Sequence, residues 1–116
     1  MAVETKQLES GYAVIAISGR LALGGETEKL NAAITALLQK DQKRFILDIT
    51  SLDYVDSSGL GQLVALWSSV RMKDGNLCIL RPSDRVRRLL SVTRLNVIFD
   101  MFEEEERATS AVRRGL

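Results

Sequence analysis

Apolar residues in this chain fall into short dense runs separated by stretches with one-sided helical spacing. Val3–Glu9 alternates weakly between apolar and polar positions and then meets the turn signal Ser10-Gly11. Tyr12–Ser18 follows, dense in Val, Ile and Ala, and reads as a buried strand. So short a link between two strands predicts an antiparallel hairpin. Gly19 is expected to end the second strand, with Leu21, Leu23, Gly24 and Gly25 in a loop. From Glu26 to Lys40 the apolar residues are Leu30, Ala33, Ile34, Leu37 and Leu38, the spacing of a helix with one buried side. Glu26 and Glu28 fall near its positive end and Lys40 near its negative end.

Phe45–Ile49 is short, almost wholly apolar and bounded by charges, which predicts a central strand covered on both faces. Beyond Asp56-Ser57-Ser58-Gly59 a second helix runs to about Lys73 on the stripe Leu60, Leu63, Val64, Trp67 and Val70, and Gly75 is placed to stop it. Asn76–Leu80 reads as another buried strand. Pro82, with Ser83 or Asp84 as cap, opens a third helix whose inward side carries Val86, Leu89, Leu90 and Thr93. Val97–Phe99 is predicted to be a fifth strand and Glu103–Arg114 a last helix, acidic at its start and basic at its end. The order ββαβαβαβα, over 1–116 as one domain, implies an α/β fold. Right-handed crossovers give a mostly parallel sheet with an antiparallel edge, and the one-sided helices should lie mainly on one face.

Composition then removes whole chemistries. No histidine is present among the 116 residues, which excludes histidine acid–base catalysis, Ser-His-Asp triads and histidine-ligated metals. The one cysteine, Cys78, lies in the apolar run Leu77-Cys78-Ile79-Leu80 and reads as a small buried hydrophobe. Sixteen Lys and Arg against fifteen Asp and Glu give a formal charge of +1, which points to no direct nucleic-acid partner. The 5% aromatic content also argues against a base-stacking surface. The apolar runs are far shorter than the roughly 20 residues of a membrane-spanning helix, and Met1–Ser10 lacks the apolar core of a secretion signal. These features predict a cytoplasmic domain without membrane insertion, and no catalytic residue, metal or cofactor emerges. Arg71, Lys73, Arg81, Arg85, Arg87, Arg88 and Arg94 make a basic sector interrupted by Asp74 and Asp84, which reads first as a solvated face.

The informative stretch is Asp48-Ile49-Thr50-Ser51-Leu52-Asp53-Tyr54-Val55-Asp56-Ser57-Ser58-Gly59-Leu60-Gly61. A buried strand delivers the chain into a loop, and two adjacent hydroxyls then stand at a helix N-terminus. Free N–H groups and a partial positive charge gather there. Gly59 and Gly61 would let an anion approach those amides closely. The plainest reading is an ordinary cap by Asp56, Ser57 or Ser58. A dinucleotide site is a second, but the third glycine position holds Val64 and the next strand ends in Leu80-Arg81-Pro82 without an acid for a ribose. A phosphate-accepting carboxylate among Asp48, Asp53 and Asp56 fails for want of an acidic pair after an early strand and a lysine after the last one.

The segment from Phe45 to Val64 resembles the signature of STAS domains, specifically the bacterial anti-sigma factor antagonists, in which a strand leads through Asp-Ser-Ser/Thr-Gly-Leu-Gly into a helix. Element order, the Gly75-Asn76 turn and the Pro82-Ser83 helix start extend the resemblance over nearly the whole chain. The resemblance implies that Ser57 is a regulatory phosphosite shaped by Asp56 and Ser58. It also implies that Gly59, Leu60 and Gly61, with Leu21 and Leu23, belong to a partner surface. The implied partners are an anti-sigma factor that is also a serine kinase, and a PP2C-type phosphatase that restores the unmodified form. One departure stands out. Where family members carry Gly-x-Leu-Asp after the second strand, this chain reads Gly19-Arg20-Leu21-Ala22. That change leaves open a non-phosphorylated adaptor of a lipid-transporting ABC-type complex, and the glycine-flanked amides leave open a small nucleotide-binding protein.

Overall fold

The computed structural model describes residues 2–9, 11–22 and 27–113. Five strands, β1 (Ala2–Leu8), β2 (Ala13–Leu21), β3 (Arg44–Val55), β4 (Asn76–Leu80) and β5 (Met101–Phe102), form one sheet in the order β1-β2-β3-β4-β5. β1 pairs antiparallel with β2, and every other pairing is parallel. Among the described residues the sheet is joined by four α-helices: α1 (Thr27–Gln39), α2 (Ser57–Met72), α3 (Asp84–Val92) and α4 (Glu105–Arg113).

Strand alternation sorts the apolar side chains into two cores. Ala13, Ile15, Ile17, Phe45, Leu47, Ile49, Leu77 and Ile79 meet Leu30 and Ile34 of α1, Leu63, Leu66 and Val70 of α2, and Val86 and Leu90 of α3. The intervening residues Tyr12, Val14, Ile46, Cys78 and Leu80 turn to the other face, where Ala108 and Val112 of α4 cover them. Three helices therefore lie on one face and one on the other, as the short two-sided apolar runs require. Trp67 is half-buried and meets Phe99 edge-on, with ring centroids 6.5 Å apart. It packs against the larger core, to which Leu66 also belongs, a position outside the stripe read from the sequence.

Three boundaries differ from expectation. β3 does not stop at Ile49: Ser51, Leu52, Tyr54 and Val55 pair with Ser18, Gly19, Arg20 and Leu21 of β2. Gly19 does not end β2 but adopts φ 86° beside a register shift, so the strand bends and continues to Leu21. Val97–Phe99 is not a strand. Leu95–Val97 forms a 3-10 turn, Phe99 is buried in the larger core, and pairing waits for Met101 and Phe102, opposite Ile79 and Leu80. Leu95, Val97 and Phe99 share a period of two with a strand, but the left-handed Arg94 (φ 63°) directs the chain into a helical turn instead.

Candidate functional site at the start of the second helix

Asp56 sits between β3 and α2 in an extended conformation, and its Oδ1 accepts a 2.8 Å hydrogen bond from the Gly59 backbone N–H. This is an N-cap, worth about 1 kcal/mol to the helix. The Asp56 N–H in turn donates to the Leu21 carbonyl at 3.3 Å, pinning the start of α2 to the end of β2. Gly59 makes that junction sterically feasible, because a Cβ on it would stand 2.0 Å from the Leu21 carbonyl oxygen. Its missing side chain serves helix–strand contact, a role the sequence reading, which had it admit an anion, did not assign. Gly61 faces open space.

Ser57 and Ser58 occupy the first two positions of α2, exposed, with no hydrogen bond from either hydroxyl among the described residues. A negatively charged group on Ser57 would lie at the positive end of a sixteen-residue helix, next to one carboxylate already committed to the cap. Among the expected partner residues, Ser57, Ser58 and Gly61 are exposed and Asp56 is half-buried. Leu21 and Leu60, expected to offer docking side chains, do not: they are 0% and 8% exposed and belong to the larger core. Both turn inward because the β2 end and the first turn of α2 close over the same apolar face. Leu23 lies outside the described residues. Ala22 directly follows the residue that bonds the cap, so position 22 borders the site and brings no charge to it.

The model of the STAS domain matches residues 3–108. The chain belongs to the STAS domain family. The anti-sigma-B factor antagonist of Listeria monocytogenes is 27% identical over 101 residues, which are 87% of this chain and 88% of that one. SpoIIAA, the Bacillus cell-fate determinant, solved in its phosphorylated form, is 26% identical with a TM-score of 0.74, covering 96% of this chain and 99% of its own. The unphosphorylated anti-sigma factor antagonist SpoIIAA superimposes with a TM-score of 0.75 at 23% identity, covering 99% of this chain and 100% of its own. Within the STAS family, the chain is thus similar to a protein named as an anti-sigma factor antagonist over most of its length. No helix among the described residues is long and apolar enough to cross a membrane.

A second group of polar residues escaped the sequence reading. On the face that α4 covers only in part, Asp48 is 4% exposed yet charged. Its Oδ1 accepts from the Thr50 N–H (3.0 Å) and the Thr50 hydroxyl (2.5 Å), and its Oδ2 accepts from Lys6 Nζ (2.9 Å), with Arg81 Nη1 at 3.9 Å. Burial alone would raise the Asp48 pKa, but the hydrogen bonds from Thr50 and Lys6 outweigh it and hold the carboxyl below its ordinary value. The same bond raises Lys6 above the usual lysine value. The available signal was a lone acid inside the apolar run Phe45–Ile49.

Proposed function

We propose that this protein is a partner-switching anti-sigma factor antagonist whose unmodified form binds an anti-sigma factor with serine kinase activity, and that phosphorylation of Ser57 releases it. The supporting observation is the exposed, uncommitted Ser57 hydroxyl at the first position of α2, directly after the capping Asp56. A phosphate adds about −1.5 to −2 charges at neutral pH. The helix N-terminus accommodates them in the free protein, so the fold survives modification. In a docked interface the same charge loses hydration beside the Asp56 carboxylate, and a loss of roughly 2–5 kcal/mol, about 30- to 5000-fold in affinity, follows. With Leu21 and Leu60 in the core, the partner contacts are assigned to the exposed first turn, Ser57, Ser58 and Gly61. A PP2C-type phosphatase returns the protein to its binding form.

The test is incubation with ATP and each anti-sigma kinase of the source genome, read by mass spectrometry. A single phosphate on Ser57, lost in Ser57→Ala, is expected. Ser57→Ala should bind the kinase constitutively and Ser57→Asp weakly. Tight binding by Ser57→Asp, or no modification by any kinase, defeats the switch. The latter result would favour a non-phosphorylated adaptor, the reading that Ala22 supports by leaving the site without the family's second carboxylate.

A further inference from the structure

The face of the sheet opposite α1, α2 and α3 is closed by α4 only at the end where Tyr12, Val14, Ile46 and Cys78 lie. At the other end it opens into a cleft of about 440 Å³, within the range of small-ligand sites. Ala2, Ala16 and Ser18 are small residues along it, while Lys6, Glu4 and Arg81 bring long charged side chains. Two local distortions supply the cations. Lys6 is the extra residue of a bulge between Thr5 and Gln7, and it reaches across β2 to the Asp48 carboxylate on β3. Arg81 follows β4 with φ 52° and is locked there by its N–H bond to the Phe102 carbonyl at 2.7 Å. The other left-handed non-glycine residues, Asp41, Asp74 and Arg94, lie just past helix ends, where that conformation is common. Arg81 is at a strand end and is bulky, so its backbone is strained where a glycine would be comfortable.

That strain directs a cation with unused donors towards the cleft. The Arg81 guanidinium makes one long hydrogen bond, 3.4 Å to Thr50 Oγ1, and Lys6 gives one of its three N–H groups to Asp48. Both cations approach the same Asp48 oxygen, so they are neighbours. Asp48 accepts two bonds from Thr50 through its other oxygen. A phosphate beside Lys6 and Arg81 would take up the N–H donors that neither gives to Asp48 or Thr50.

We propose that this cleft is a second binding site, for a small molecule carrying a phosphate monoester, with the phosphate bridging Lys6 and Arg81. A phosphate presents three oxygens, enough to engage both cations and the Ser18 hydroxyl together. Glu4 makes the cleft electrically balanced overall and selects a ligand whose remaining part offers O–H or N–H donors. The site is independent of the Ser57 reading and lies on another face of the sheet.

The test is a ¹H–¹⁵N NMR titration of the full chain with methyl phosphate, at ionic strength held constant with chloride. Saturable shifts are expected at the amides of Ser18, Thr50 and Arg81. They should vanish in Arg81→Gly, a substitution the backbone angle favours and which should fold at least as stably as the parent, and weaken about five-fold or more in Lys6→Gln. Shifts confined to Ser57, Ser58 and Gly59 would place phosphate at the α2 terminus and overturn the proposal, as would shifts unchanged by Arg81→Gly or no saturable shift. Sedimentation with phosphatidic acid vesicles, without a response to free methyl phosphate, would also overturn it in favour of a lipid headgroup.

Discussion

Gly59 and Gly61 stand two positions apart in one helical turn and have opposite physical roles. A side chain at 59 would collide with the Leu21 carbonyl, whereas one at 61 would enter open space. Gly59→Ala should therefore destabilise the protein by about 3 kcal/mol, the upper range for forcing an atom into a packed junction. Gly61→Ala should be neutral or stabilise it by up to about 1 kcal/mol through helix propensity. Urea unfolding of the two variants checks both. Equal effects would show that the close approach of α2 to β2 is not rigid. The Asp-Ser-Ser-Gly sequence made a capped helix start legible at this site, and Asp56 is indeed the cap. It could not reveal which glycine was structural, because that depends on a carbonyl 38 positions earlier in the chain.

At the scale of elements, α4, with Phe102 of β5 beside it, separates the second core from solvent among the described residues. Its inward residues Ala108, Ala111 and Val112 are small, and Cys78 lies under them at 1% exposure. Burial first, then the nearby Asp100 carboxylate, pushes the Cys78 thiol up to about 12, so neither access nor ionisation favours reaction. The native protein should resist a disulfide reagent at pH 8. Val112→Asp places a charge in this core and should speed Cys78 labelling by about tenfold or more, the factor that ~1.4 kcal/mol of lost docking produces. Labelling at the parental rate in a folded Val112→Asp protein would mean that Cys78 is reached by another route. The burial of Cys78 was readable from its apolar neighbours. The helix that covers it was legible from its charge order at both ends, but its choice of face was not.

For the molecule as a whole, the Lys6–Asp48 pair joins the antiparallel edge of the sheet to its centre across β2. Asp48 has its folded pKa lowered, so its stabilising contribution is present above the unfolded carboxylate value of about 3.9 and is lost as pH falls through the folded value. Lys6 is raised, so its contribution is complete below about 10.4 and lost as pH rises through its folded value. Asp48→Asn should cost about 2 kcal/mol near neutrality, the scale of a hydrogen bond to a charged group. The difference from the parent should shrink below about pH 4. Thermal melts of both proteins between acid and neutral pH test this, and a pH-independent difference would show that Asp48 acts by packing alone.

The alternation of strand and helix patterns, the one-sided apolar spacing and the turn residues determined the element order, the parallel sheet and the capped serine pair. Those features are local, set by periods of two and 3.6 residues and by the few residue types that cap or turn a chain. Tertiary structure decided what depends on distant partners. β2 and β3 run beyond Gly19 and Ile49 because each supplies the other's hydrogen bonds. Leu21 and Leu60 are core because two chain segments close over one face. Lys6, Asp48 and Arg81 meet, although 42 and 33 residues separate the acid from its two cations, because a sheet brings side chains of neighbouring strands to one surface regardless of their distance along the chain.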